Sequence, residues 1–356
     1  MMKLIQRSAR YLLFWCTAAL VLAACGNKDT AQLTTFNGET MGTTYSVKYW
    51  SSNKQSLPEP AKVQAQMDAL LVEVNRQMST YQPDSEISRF NQMPASADSM
   101  PISADFAEVV TEAIHLNQFT EGALDVTVGP LVNLWGFGPD KTITHSPDVA
   151  QLAAAKKIIG IDKLRFQPNS SGATLGKTVD GVYLDLSSIA KGFAVDKLAR
   201  HLDSLGVANY LVEIGGELRG KGRNAKQQPW HVGIEQPQLA QAKATQIVVP
   251  LDNRALATSG DYRNFHSDES GRRLSHIIDP QSELPINHNL ASVSVVADNT
   301  MRADGLATGL FVLGEERAIA LAKQHNLAIF LIAKTQDGFT THMSPAFEQL
   351  LANHGH

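Results

Sequence analysis

"YLVEIGG", Tyr210 to Gly216, reads as a β-strand running into paired glycines, and the chain continues directly into "ELRGKG". The whole glycine-rich stretch, Glu213 to Gly222, does not have the G-x-G-x-x-G spacing that opens a dinucleotide-binding helix. It reads either as a bend at a strand end or as a close approach of backbone to a ligand. Working outward, "TTYSVKYW" (Thr43–Trp50) alternates like a strand. "WHVGIEQ" (Trp230–Gln236), "TQIVVPL" (Thr245–Leu251), "SHIIDP" (Ser275–Pro280), "ASVSVVA" (Ala291–Ala297) and "LAIFLIA" (Leu327–Ala333) are further strand candidates. Many of these meet through turn residues rather than crossover helices, which favours antiparallel pairing. The expected fold class is therefore α+β: a largely antiparallel β-sheet core with helices packed on it.

The helices read from their period. Ala61–Met78 carries Val63, Met67, Leu70, Leu71, Val74 and Met78 at helical spacing, and Asp105–Phe119 follows the same rule. "VYLDLSSIAKGFAVDKLARHLDSLG" (Val182–Gly206) reads as a strand ending at Asp185, a tight turn, and a helix closed by Gly206. "STYQPDSEISRFN" reads as a polar loop, and "EGALDVTVGPLVNLWGFGPD" as a long ordered loop or short strand, a kind of segment that often carries function.

The chain opens with a processing signal. Lys3, Arg7 and Arg10 precede an apolar run from Tyr11 to Ala24. That run is shorter than the roughly 20 residues of a membrane-spanning helix, so residues 1–24 read as a secretory signal peptide. "LAAC" (Leu22–Cys25) resembles a bacterial lipobox, with Cys25 as the acylated first residue of the mature chain. Residues 25–33 then form a polar, lipidated tether and residues 34–356 the folded domain. These features predict a lipid-anchored protein on the periplasmic side of a membrane, with the inner membrane as the expected one. The only cysteines are Cys16, inside the signal, and Cys25, so the mature chain keeps no thiol pair for a disulfide or a cysteine-based zinc site. None of the 11 histidines falls in an H-E-x-x-H pattern. Loss of the three signal cations takes the formal net charge from −4 to −7, which argues against nucleic acid as a partner. No second apolar span, fixed-period repeat or linker-like stretch interrupts the remaining chain.

Several stretches could carry chemistry. "SGATLGKT" (Ser171–Thr178) is not a phosphate-binding loop: three residues, not four, separate Gly172 from Gly176, and no helix follows Lys177. A β-turn is expected there. In "LDLSSIAKG", Asp185 is either a helix cap or part of a site, and the turn through Ser187 and Ser188 frees backbone groups before Lys191 begins the helix. In "MRADGLATGLFVLG" (Met301–Gly314), Asp304 and Thr308 lie four apart on one helical face. A threonine bonded back to its own helix and a solvent-facing aspartate would be the bland alternative. The neighbours are nearly all small or apolar, so the helix is expected to be buried, and a buried carboxylate needs a partner, a proton or a metal. Mg²⁺ fits that chemistry best, as a hard cation content with few protein oxygens.

Taken in order, "ETMGTTYSV", "MSTYQPDSEISRFN", "GALDVTVGPLVNLWGF", "LDLSSIAKGFAVD", "YLVEIGGELRGKG", "ALATSGDYRNF", "SHIIDP" and "MRADGLATGLFVLG" resemble the blocks of the ApbE family, the bacterial FAD:protein FMN transferases. The resemblance implies an FAD cleft between two intimately joined halves, Mg²⁺ on the FAD pyrophosphate, and transfer of FMN to a Ser/Thr of a target flavoprotein with release of AMP. It implies that Met41, Tyr81, Ala123, Leu124, Asp125, Asp185, Lys191 and Ile277 contact FAD. By the same resemblance Asp304, Thr308 and the Ser188 carbonyl hold Mg²⁺. Lys191 would stabilise charge in the transfer, and Asp304 and His276 are the candidate bases. Expected acceptors are membrane redox subunits of the sodium-pumping NADH:quinone reductase or Rnf type. An FAD pyrophosphatase and a non-enzymatic FAD-binding lipoprotein are the competing functions.

Overall fold

The computed structural model describes residues 33–51, 57–138, 146–170, 172–236, 245–261, 265–267 and 273–353. Residues 1–32, which include the expected signal peptide and Cys25, lie outside the described residues. Along the chain, β1 (Thr34–Thr40) and β2 (Thr43–Trp50) precede α1 (Pro60–Met78), α2 (Glu86–Gln92), β3 (Met100–Ile102) and α3 (Ala104–Phe119). Then come α4 (Gly129–Leu134), α5 (Val149–Lys156), β4 (Leu164–Asn169), β5 (Gly172–Lys177) and α6 (Ala190–Ser204). Next are β6 (Asn209–Ile214), β7 (Glu217–Lys221), β8 (Trp230–Glu235), β9 (Thr245–Leu251), β10 (Arg254–Gly260), β11 (Phe265–Ser267) and β12 (Arg273–Ser275). The chain closes with β13 (Leu290–Ala297), α7 (Thr300–Leu313), α8 (Glu315–Gln324), β14 (Ala328–Thr335), β15 (Gly338–Met343) and α9 (Pro345–Ala352).

The framework is an eight-stranded sheet in the order β1-β2-β6-β7-β10-β13-β14-β15. Each neighbouring pair in it is antiparallel. Three of the connections are tight hairpins, β1–β2, β6–β7 and β14–β15, as expected where turn residues rather than helices join strands. Side-chain alternation divides the sheet between two apolar layers. Tyr210, Val212, Ile214, Ala257, Val293, Val295, Ile329 and Leu331 face the layer formed with α1, α3, α6 and α7. Their neighbours Leu256, Val296, Phe330 and Ile332 face the other layer, closed by the β8–β9 hairpin and Phe347 of α9. That two-sided coverage explains why β13 is buried along nearly its whole length, Ser292 and Ser294 included. Among the described residues no helix is long and apolar enough to cross a membrane.

Five local expectations are corrected. The supposed polar loop contains α2, whose start is capped by Ser85 accepting from Ser88 N–H. The Gly/Pro-rich stretch contains the short helix α4, with Pro130 in its first turn. Val182–Asp185 is extended but not a strand: the Asn91 amide brackets Leu184, donating to its carbonyl and accepting from its N–H at 2.9 and 2.7 Å, and so replaces a strand partner. Gly172–Lys177 forms strand β5 and not a turn, and its buried Lys177 ammonium donates to the carbonyls of Asn91 and Val182. "SHIIDP" is not a continuous strand, since β12 ends at Ser275 and Ile278 makes only an isolated bridge to Pro285.

Candidate functional site

The packing of α6 on α7 sets the floor of the site. Gly192 lies so close to α7 that a Cβ there would sit 2.4 Å from the Thr300 carbonyl oxygen. The missing side chain lets the Gly192 N–H, in the unsatisfied first turn of α6, donate to Asp304 Oδ2 at 2.9 Å. Burial raises the Asp304 pKa, and Lys191 and the Gly192 N–H oppose that rise. Lys191 Nζ stands 2.9 Å from Glu217 Oε1 and 3.8 Å from Asp304 Oδ1. Burial works against the charge on Lys191, but Asp304 and Glu217 outweigh it and hold the ammonium above the ordinary lysine value. Glu217 is itself pushed up by burial, with Lys191 opposing. One helical turn beyond Asp304, the Thr308 hydroxyl pairs with Ser259 Oγ at 2.9 Å.

Above this floor lies a cleft of ≈ 790 Å³, lined by every residue named from the sequence as a candidate FAD contact, metal ligand or base. They arrive on separate elements. Met41 comes from the β1–β2 turn, Tyr81 from the loop after α1, Ala123–Asp125 from the loop before α4, and Ser188 and Lys191 from the start of α6. His276 and Ile277 follow β12, and Asp304 and Thr308 come from α7. Met41 and Gly42 both have positive φ, 51° and 72°, as a two-residue hairpin turn of this hand requires. Methionine is an unusual choice there, and strain of this kind concentrates at functional sites. Tyr81 is 71 % exposed, a large aromatic left open at the cleft.

Asp125 and Asp185 are anchored locally. Asp125 accepts from the Thr127 N–H and hydroxyl at 2.8 and 2.6 Å, and burial raises its pKa against those bonds. Asp185 accepts from the Ser187 N–H at 2.9 Å and from its hydroxyl, so it orders the turn before α6. It therefore caps that turn as well as lining the cleft. The glycine stretch around Gly215 likewise satisfies both of its readings, since Gly215 is a hairpin turn residue with φ 62° and also borders the cleft.

Sequence reasoning missed Glu217 and Ser259. The signal for Glu217 was available: a two-residue turn at Gly215–Gly216 fixes the register and pairs Glu217 with Ile214 across the strands. Directly opposed residues share a face, so Glu217 had to join Ile214 on the buried side.

The donor set at the floor suits a hard divalent ion. Asp304, Thr308 and the Ser188 carbonyl offer oxygen only. No group of three or more His, Cys, Asp or Glu that could hold a metal ion occurs among the described residues.

Fold and site together define a class: an α+β protein with one large cleft, apolar and aromatic along its walls and acidic and hydroxyl-bearing at its floor. The chain belongs to the ApbE family, whose model matches residues 41–331. It is 50 % identical over 332 residues to the FAD:protein FMN transferase of Haemophilus influenzae, covering 93 % of this chain and 95 % of that one. The solved flavin transferase ApbE from Vibrio cholerae superposes with a TM-score of 0.81 at 46 % identity, covering 90 % of this chain and 99 % of that one. The flavinyl transferase ApbE of Pseudomonas stutzeri, solved in its apo form, gives a TM-score of 0.81 at 40 % identity, over 90 % of this chain and 97 % of that one.

Proposed function

We propose that the cleft binds FAD and, with Mg²⁺, passes FMN to a Ser/Thr hydroxyl of a target flavoprotein. FAD:protein FMN transfer is the activity of the family to which the chain belongs, and the chain is an enzyme of that kind. The observation that carries the finer reading is Asp304: a buried carboxylate with one close hydrogen bond, from Gly192, at the floor of a cleft large enough for a dinucleotide.

Met41 and Tyr81 supply the surfaces for the flavin ring, and Asp125, Asp185 and Ile277 line the path of the rest of the molecule. Asp304, Thr308 and the Ser188 carbonyl are the residues that would hold Mg²⁺. Bound there, the ion would neutralise charge on the pyrophosphate as AMP departs. The acceptor hydroxyl attacks the phosphorus on the FMN side in line. The new P–O bond forms as the bond to the AMP oxygen breaks, and the hydroxyl proton passes to a base. Lys191, already charged and aimed into the cleft, stabilises the developing negative charge. Positioning and electrostatics of this kind supply most of the rate in phosphoryl-type transfer. His276 borders the cleft, with its ring 6.4 Å from that of Phe137, and stands beside Asp304 as a candidate for the base.

The localisation reading rests on the sequence. Cys25 would carry the lipid that holds the domain on the periplasmic side of the membrane, where sodium-pumping NADH:quinone reductase or Rnf-type subunits would be its acceptors. Cys25→Ser should leave the protein unprocessed or soluble. A processed, lipid-bearing variant on membranes would refute the lipobox reading.

The deciding assay is incubation with FAD, Mg²⁺ and a candidate acceptor, scored for in-gel flavin fluorescence and AMP release. Flavin on the acceptor with equal AMP is the expected result. AMP without labelled acceptor would make the protein a pyrophosphatase, and bound FAD without either product a storage protein.

A further inference from the structure

Glu217 stands at the start of β7, with no role yet in binding or transfer. Its side chain is 5 % exposed, and Oε1 accepts from Lys191 at 2.9 Å. Oε2 is fully buried and has no hydrogen-bond partner among the described residues. Gly215 lies beside it: a Cβ there would be in ordinary contact with that oxygen at 3.5 Å, and the side chain it would crowd is Thr43, at 2.9 Å. A buried carboxylate with one oxygen unpaired costs stability relative to a neutral side chain of the same shape. Asp304, 3.8 Å from Lys191, is the residue that would serve the metal, which leaves Glu217 at 2.9 Å as the closer partner of the ammonium. What the second carboxylate supplies is the position of that ammonium. Lys191 lies in the first turn of α6 on a long flexible side chain, and two carboxylates on opposite elements fix its Nζ where one would leave it free to swing.

We infer that Glu217 is a positioning residue for the transfer, holding the Lys191 ammonium at the place where charge develops on the departing phosphate. The inference rests on the FMN-transfer reading of the same cleft. Transition-state stabilisers lose much of their effect when displaced by about an ångström, so release of Lys191 should lower kcat while leaving the ground-state contacts to the flavin ring in place.

The test is a double-mutant cycle of Glu217→Gln and Lys191→Met in the full chain, with FAD affinity, kcat, KM for FAD and thermal midpoint measured for each variant. Glu217→Gln alone should lower kcat at least tenfold, with KM for FAD changed less than threefold and the thermal midpoint unchanged or raised. In the Lys191→Met background the same substitution should change kcat less than twofold, because its effect runs through Lys191. Wild-type kcat in Glu217→Gln would overturn the inference. So would a loss of the same size with Lys191 absent, which would mean that Glu217 acts on another group. A lowered thermal midpoint accompanying the loss would overturn it in favour of a structural role. If the wild-type chain itself releases no AMP from FAD, the functional reading fails and not this inference alone.

Discussion

Two aspartates bridge α6 and α7, and they are treated in opposite ways. Asp196, on α6, accepts from the Thr300 N–H, the Thr300 hydroxyl and the Met301 N–H, all within 3.0 Å, and pairs with Arg219 at 2.6 Å. It occupies the free N–H groups at the start of α7, where a negative charge is favoured by the helix dipole. Asp304, on α7, takes one N–H from the start of α6 and has Lys191 at 3.8 Å. Both are buried, at 4 % and 3 % exposure, so burial alone does not separate them. Satisfaction does. A carboxylate whose lone pairs are all engaged clamps the fold, and one left under-engaged beside a cleft is held ready for a ligand.

Substitution should separate the two sites cleanly. Asp196→Ala strands two backbone N–H groups and the Arg219 guanidinium, and should cost about 3 kcal/mol or more of unfolding free energy. Denaturant titration would show it; a loss below about 1 kcal/mol would mean that water or Arg219 re-satisfies the helix start and that Asp196 is no clamp.

A smaller effect is expected at the rim. Tyr81→Ala removes an exposed ring that covers nothing in the free protein, so stability should be unchanged. FAD affinity should fall by roughly 1–2 kcal/mol through lost contact area. FAD fluorescence titration measures this directly, and unaltered affinity would remove Tyr81 from the flavin site.

The smallest effect tests whether an unsatisfied polar atom elsewhere behaves as Asp304 does. His288 bonds through Nε2 to the Phe311 carbonyl at 2.7 Å, while its buried Nδ1 has no partner among the described residues. Burial lowers its pKa, the Phe311 carbonyl opposing. The folded state thus holds the neutral ring more tightly than the unfolded chain does. Its contribution to stability is complete above the unfolded value of about 6.5 and is lost as pH falls below it. Replacing His288 by Gln should flatten the decline in thermal midpoint between roughly pH 6.5 and 5. An unchanged slope would assign that decline to other groups.

Much of this contrast was legible in the sequence, though unevenly. The apolar surroundings of Asp304 and Thr308 announced a buried helix, and strands joined by turns announced an antiparallel sheet. Both signals are local. The same reading passed over Asp196, because an aspartate amid "FAVDKLAR" looks like a residue on the polar face of an amphipathic helix. Its burial depends on α7 arriving more than a hundred residues later. Glu217 lay in between: hairpin register encoded its inward direction, but its partner Lys191 comes from another element. The strand misread at Val182–Asp185 has a similar cause. Leu184 bonds to the Asn91 side chain, Asp185 N–H donates to the Val126 carbonyl and the Val182 carbonyl accepts from Lys177, partners that no pattern within the segment predicts.

The central claim is that Asp304 serves the reaction and not the fold, and Asp304→Asn tests it most directly. The substitution keeps shape and volume, leaves an oxygen to accept from Gly192, and removes the charge a hard cation needs. Measured at limiting Mg²⁺ beside the wild type, FMN transfer to the acceptor should fall at least a hundredfold, with the thermal midpoint unchanged and FAD still bound. Full transfer by Asp304→Asn under those conditions would show the carboxylate to be structural and would contradict the account.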